Sequence, residues 1–328
     1  MSNPLLLAIA AMLFSQSLLA DFALGNAKRC QDYSGVPPAW QEQARAGMVQ
    51  ISGGEFIFGT HLGYAEERLE VKTKVNAFWI DQTEVTVAQF ADFVHATSYV
   101  TDAEREGGAV VFRIPQPEQL KQIAYPWWVY QKGADWRHPQ GPNSTAQANY
   151  PVTQVTLDDA KAYAHWLGRD LPTEAEWEYA AKAGGQDRHI EQEPRDAANK
   201  PRANFWQGQF PLENTEEDGF AGVAPVGCYP ANAFGVFDMI GNVWEQTRDV
   251  YTPAHALFAK PAATTITPKS DQSMVIKGGL HLCAQNYCVR YRPSAREAHE
   301  ANLPIAHIGF RTVWREPETD HWFWSWRN

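Results

Sequence analysis

Cys283 and Cys288 stand five residues apart in the stretch Gly278-Gly279-Leu280-His281-Leu282-Cys283-Ala284-Gln285-Asn286-Tyr287-Cys288-Val289-Arg290-Tyr291-Arg292. Thiolates are nucleophiles, redox partners and soft metal ligands, so this pair is the chain's first candidate for chemistry. Their spacing restricts the backbone. On a strand, an odd separation points two side chains to opposite faces. On a helix, five residues turn through about 500°, well off a shared face. The two sulfurs can therefore meet only across a loop or an irregular turn. Gly278-Gly279 ahead of them suits a backbone that bends or approaches other groups closely. A short-range disulfide, a redox-active dithiol and a soft-metal site all remain open at this point.

The whole chain bounds the setting of that pair. It has 328 residues, 44% hydrophobic and 20% charged, enough for one large or two ordinary domains with a sizeable core. A formal charge of −10 argues against a nucleic-acid partner. Thirteen tryptophans point to a wide aromatic core or a groove lined with rings. Pro4 to Phe14 is a short apolar run without charge, and Ala20 stands where a leader would be cut. Residues 1–20 therefore read as a signal peptide, although no Lys or Arg lies near Met1. The run is too short to span a bilayer comfortably, and no other stretch is long and apolar enough. The expected location is periplasmic or secreted, without stable membrane insertion, where disulfides persist. Four cysteines, Cys30, Cys228, Cys283 and Cys288, allow three connectivities. If Cys283 and Cys288 work together, Cys30 and Cys228 are left to tie the N-terminal arm to the body.

The elements that must hold the pair are short. Residues 21–47 read as an irregular arm, broken by Pro37-Pro38. Met48 to Gly59 reads as two short strands about Gly53-Gly54. Val71 to Asp81 alternates again, with Val75, Phe78 and Ile80 set for burial. Three helices open on capping boxes or cap residues: Thr86 with Gln89, Thr156 with Asp159, and Thr173 with Glu176. Residues 98–150 carry five prolines and Trp127, Trp128 and Trp136, and read as a long packed loop lining a surface groove. After Gly184-Gly185 the chain is expected to stay irregular until about Val275. Met274-Val275-Ile276 and Ile308 to Val313 read as short buried strands. Trp322, Trp324 and Trp326 alternate in a tail, residues 315–328, that reads as a last edge strand. The sum is one α+β domain with few helices, short strands and long ordered loops.

Several stretches resemble the sulfatase-modifying-factor family, whose best-known member generates formylglycine. They are Leu171-Pro172-Thr173-Glu174-Ala175-Glu176-Trp177-Glu178-Tyr179, Gly241-Asn242-Val243-Trp244-Glu245 and Gly309-Phe310-Arg311. Thr83-Glu84-Val85-Thr86, Trp136-Arg137-His138-Pro139 and Asn204 through Phe220 agree with the same pattern. The likeness runs over nearly the whole chain and sets a domain at 48–314. It implies a C-type-lectin-like fold of low regular secondary structure.

The resemblance also implies an activity. In the formylglycine-generating branch, two cysteines at the positions of Cys283 and Cys288 bind Cu(I). The enzyme then uses O2 to convert a cysteine of a substrate protein, in a sulfatase-type Cys-x-Pro-x-Arg motif, to formylglycine. Soft thiolates select Cu(I), and two of them leave room for the substrate's own sulfur. The family's usual Ser and Trp after the paired glycines are Leu280 and His281 here, and His281 is a further candidate copper ligand. Two calcium sites are implied as well. Asn204 and Asp218, with the carbonyls of Phe205 and Phe220, match one. Asp238 and Glu245, with the carbonyls of Gly241 and Val243, match the other. The family also holds maturation factors acting on siderophores or metalloenzymes. A third reading, outside the family's chemistry, is a non-catalytic binding module that uses the tryptophan-lined groove.

Overall fold

Four threonines start four helices by the same local chemistry. Thr86, Thr101, Thr156 and Thr173 each accept the backbone N–H three residues on, and Gln89, Glu104, Asp159 and Glu176 reach back in turn. The helices are α1 (Val87–Thr97), α2 (Asp102–Glu106), α3 (Leu157–Trp166) and α4 (Glu174–Lys182). The computed structural model describes residues 24–253, apart from Leu69 and Arg188, and residues 272–317. The expected signal peptide over 1–20 and the tryptophans of the tail lie outside the described residues.

The first core packs α1 on α3. Phe90 of α1, fully buried, stacks on Tyr163 of α3 at 5.9 Å and meets Trp136 and Phe310 edge-on. Rings of this size dominate core energetics. Phe90→Ala should therefore lower stability by about 3–5 kcal/mol, as urea denaturation would read.

The strands are β1 (Met48–Ile51), β2 (Gly54–Phe58), β3 (Val71–Val75), β4 (Phe78–Asp81), β5 (Gly108–Phe112), β6 (Trp128–Lys132), β7 (Trp244–Val250), β8 (Ser273–Lys277), β9 (Arg296–Glu300), β10 (Ile308–Gly309) and β11 (Val313–Trp314). They form a sheet β1-β4-β11, a sheet β10-β7-β8-β9, and the two hairpins β2-β3 and β5-β6. This is the expected α+β arrangement of short strands and long ordered loops. The expected strands at 48–59 exist, but they do not pair with each other: β1 lies on β4 and β2 on β3.

Two expectations fail. The stretch 98–150 is not one irregular loop. It holds α2 and the β5-β6 hairpin, with Ala109, Val111 and Trp127 buried and the proline-rich residues forming the hairpin's connection. The stretch between Gly185 and Val275 is not free of regular structure either, since β7 runs through it. β7 reads as polar, and that polarity is spent inside. Gln246 donates to the Val155 carbonyl at 3.0 Å and Thr247 to the Val275 carbonyl at 2.8 Å. Glu245 is gripped by both arms of the Arg311 guanidinium at 2.6 Å and by the Trp177 indole N–H at 2.7 Å. Buried polar groups need such partners, and side chains supplied from distant segments leave no local periodicity to read.

A buried ionic layer joins α4 to the second sheet. Lys277 of β8 reaches Glu178 at 2.9 Å, and Arg296 of β9 reaches Glu174 at 2.7 Å. Lys277 and Arg296 are themselves opposite each other in the antiparallel β8-β9 ladder. Everything between them, residues 278–295, is an excursion out of the sheet, and it carries both cysteines. Gly278 and Gly279 start it with φ of +100° and +78°. A Cβ on Gly279 would strike the Arg290 carbonyl, so the two ends of the excursion touch only because glycine stands there.

Candidate active site

The excursion brings Cys283 and Cys288 into bonding contact, with their Cα atoms 4.5 Å apart. The backbone between them is a single turn. The Ala284 carbonyl accepts the N–H groups of Tyr287 and Cys288, both at 3.1 Å. Neighbouring segments pin the turn. Trp206 donates its N–H to the Cys283 carbonyl at 3.0 Å. The Asn286 side chain clamps the Phe210 backbone, accepting from its N–H at 3.2 Å and donating to its carbonyl at 3.0 Å. Both cysteines are buried, in a cluster with Leu280, Leu282, Phe205, Trp206 and Tyr291.

An aromatic wall leads from that cluster to solvent. Tyr287 stacks flat on Phe210 at 4.3 Å, and Trp127 meets both edge-on at 5.1 and 5.3 Å. Phe112 of β5 and Trp206 back Phe210 from behind, at 5.9 and 5.3 Å. Tyr287 is 40% exposed and Tyr125 is 62% exposed, so the wall has an open face beside the buried sulfurs. Sequence reading anticipated tryptophans in a groove. It missed Phe210, Asn286 and Tyr287. Tyr287 next to Cys288 was the one signal in plain sight.

His281 is buried and held by one backbone carbonyl. Its N–H and ring Nδ1 both lie 2.9 Å from the Asn242 carbonyl. Burial pushes its pKa down to about 4, against the pull of that carbonyl, so the ring is neutral. Among the described residues, no three His, Cys, Asp or Glu side chains converge as a metal-holding group. Leu280 is buried in the same apolar cluster as Cys283.

The residues of the first oxygen-rich loop gather around Asp218. Its carboxylate accepts the N–H groups of Phe205 and Phe220, both at 3.0 Å. The Gln207 amide donates to Asp218 at 2.9 Å and to the Phe205 carbonyl. Two oxygens expected to hold a cation thus converge on one donor. Asn204 is turned to the Gly222 carbonyl at 2.9 Å and the Asn242 side chain at 3.0 Å.

The second loop carries more charge than its partners neutralise. Asp238 and Glu245 lie close to Glu84, which is fully buried, and Arg311 is the cation they share. One oxygen of Glu84 accepts from Asn242 at 2.9 Å, and the Glu84 carboxyl is also within hydrogen-bonding reach of Asp238. Burial, then the nearby Asp238 charge, holds the Glu84 carboxyl well above the ordinary range. Burial raises Asp238 to about 6. Surplus buried negative charge is what a divalent cation would satisfy, with backbone carbonyls completing its shell. Glu84 stood in a quoted motif, but nothing in the sequence announces its burial.

Raised carboxyl pKa values cost stability as pH rises through them, because the folded state must give up a proton it holds more tightly than the unfolded chain. Glu84→Gln mimics the protonated form. In chelator its melting temperature should exceed the wild type's by a margin that grows towards alkaline pH and vanishes below the ordinary carboxylate range. Excess calcium should reverse the order. A pH series of thermal melts, with and without calcium, reads both.

Residues 34–316 match the family described as the sulfatase-modifying factor enzyme 1-like domain. The chain is 40% identical over 295 residues to the formylglycine-generating enzyme of Bos taurus, covering 84% of this chain and 77% of that one. It is 41% identical over 290 residues to the formylglycine-generating enzyme of Mycobacterium tuberculosis, covering 81% and 97%. Among solved structures it resembles PvdO from Pseudomonas aeruginosa, with a TM-score of 0.62 at 22% identity, covering 82% of this chain and 94% of that one. That last likeness is one of fold.

Proposed function

This chain belongs to the sulfatase-modifying factor enzyme family, and from that premise we propose that it is an oxidoreductase converting a cysteine of a substrate polypeptide to formylglycine. The observation that carries the reading is the meeting of Cys283 and Cys288, buried at the foot of an aromatic wall that opens to solvent.

The donor set fits Cu(I). Two soft sulfur donors stand together in a mostly apolar cluster. In their reduced form Cys283 and Cys288 would hold the ion, and bound copper would let O2 take two electrons and two protons from the substrate's CH2–SH group, the O2 leaving as hydrogen peroxide, or as water where an added thiol supplies two further electrons. The chain's own residues do the rest. The Ala284 carbonyl and the Trp206 N–H fix where the two cysteines sit. Asn286 locks the turn to Phe210, and the rings of Phe210, Trp127 and Tyr287 shield the sulfurs from water while leaving one side open. An extended sulfatase-type segment is the substrate, because a folded one could not bring its cysteine against a buried pair. Its oxidised carbon ends as an aldehyde after water replaces the sulfur, which leaves as H2S.

Calcium has a structural part in this reading. Asn204, Phe205, Asp218 and Phe220 would hold one ion, and Asp238, Gly241, Val243 and Glu245 the other, each drawing long loops together. The Cys30–Cys228 disulfide, formed in the structure, suits an oxidising compartment and a periplasmic or secreted protein.

The test is mass spectrometry of a peptide carrying Cys-x-Pro-x-Arg, incubated with copper-loaded protein in air. Aldehyde that appears with copper and disappears with a Cu(I) chelator supports the reading. Tight peptide binding without turnover would replace it with a binding module.

A further inference from the structure

The turn ahead of β3 touches the cysteine excursion at several points, although more than two hundred residues separate them in sequence. Ala65–Glu67 is a single 3-10 turn, and Tyr64 is the extended residue that leads into it. Its Glu67 carbonyl accepts from Thr60 at 2.7 Å, which ties it to the end of β2. Glu66 pairs with Arg290 at 2.6 Å, and Arg290 also reaches Glu297 of β9 at 3.2 Å. Glu67 pairs with Arg292, and neither side chain has any exposure. Arg292 in turn donates to the Val289 carbonyl. The Tyr64 ring lies under the Arg290 guanidinium at 4.3 Å, with its hydroxyl 3.5 Å from the Val289 N–H. A Cβ on Gly63 would collide with Glu67 and Arg292, so the approach is as close as the backbone permits.

These contacts grip the chain at the first, second and fourth residues after Cys288. The Trp206 and Asn286 contacts hold Cys283 and the turn before Cys288, whereas on the far side these contacts add to the close approach of Gly279 to the Arg290 carbonyl. A fully buried ion pair is an expensive way to pack a loop, and it is better explained where geometry must be held. We propose that Glu66 and Glu67 are positioning residues for Cys288, setting the separation of the two sulfurs through Arg290 and Arg292. The idea rests on the reading of Cys283 and Cys288 as the reactive pair.

The experiment compares Glu66→Gln and Glu67→Gln with the wild-type chain in two assays that need no turnover. One is competition for Cu(I) against a chromogenic chelator. The other is the dithiol–disulfide equilibrium of Cys283 and Cys288 in glutathione buffer, read by alkylation and mass spectrometry. In that exchange the two thiols close to a disulfide as one oxidised glutathione is reduced to two thiols. Outer partners of metal ligands typically shift affinity by about 10–100-fold. A loss of Cu(I) affinity of that size, with a shifted thiol equilibrium, is the expected result. Glu66 is the partly exposed member, so its variant keeps the test alive if Glu67→Gln fails to fold. Glu66→Asp, which keeps the charge that Arg290 pairs with, should stay near the wild type in both readings. Variants that lose melting temperature while both equilibria stay unchanged would overturn the clamp and leave the turn a mere packing element. Shifted equilibria in a chain that makes no aldehyde would uphold the clamp and overturn the catalytic reading instead.

Discussion

Cys283→Ser and Cys288→Ser should each abolish aldehyde formation, by about 10^3-fold or more, while the protein still folds. Serine is a close steric match, slightly smaller than cysteine, and the Cys30–Cys228 disulfide and the helix core do not depend on the pair. The informative comparison is with the double variant. Groups that act as one unit are not additive, so losing both should cost no more than losing either. Single-turnover assays on the Cys-x-Pro-x-Arg peptide, with circular dichroism as the folding control, read the result. If one cysteine could be replaced with only a modest loss, the shared two-sulfur site would be the wrong account.

Arg311→Leu should be among the most damaging single changes to stability, by about 3–5 kcal/mol. The guanidinium binds both oxygens of Glu245 and donates to the carbonyls of Asp81 and Phe237, at 3.1 and 3.0 Å. Removing it strands Glu245 beside Asp238 and Glu84 without a cation. Domains of this kind are stable by only about 5–15 kcal/mol, so the variant would sit near the edge of unfolding. Replacing both partners, Arg311→Leu with Glu245→Leu, should recover part of the loss, because Glu245 is then not left unpaired, while Asp238 and Glu84 still lack the cation they shared. Urea denaturation of the two variants in chelator separates these outcomes. Equal damage from the single and double changes would mean that the fork matters for its shape rather than its charge.

Sequence revealed the parts of this molecule whose physics is local. Each capping box needs only four residues, and Thr86, Thr156 and Thr173 announced their helices correctly. The cysteine spacing demanded an irregular turn, and one turn closed on the Ala284 carbonyl is what the chain forms. The failures share a cause. β7 looked polar because its partners are Arg311, Val155 and Val275, all far away in sequence. The β5-β6 hairpin hid behind its prolines, since its strands sit on either side of them. Glu84, Phe210 and the Glu66–Glu67 turn gained their roles from contacts that no window of sequence contains. Asn204, Asp218, Asp238 and Glu245 were visible only through resemblance, as isolated carboxylates and amides carry no periodic signal.

The sheet β1-β4-β11 has one more consequence. Val313 lies opposite Ile80, and Thr312 donates to the Asp81 carboxylate, so the last described strand completes a sheet begun near the start of the chain. A ribosome must release almost the entire polypeptide before that edge can be filled. Until then β4 offers an open row of backbone groups beside a half-built core, the kind of edge on which nascent chains aggregate. Closure so dependent on distant contacts is also slow. The chain should therefore stay unfolded until its synthesis is nearly complete, and removing the residues of β11 should cost it the closure of that sheet.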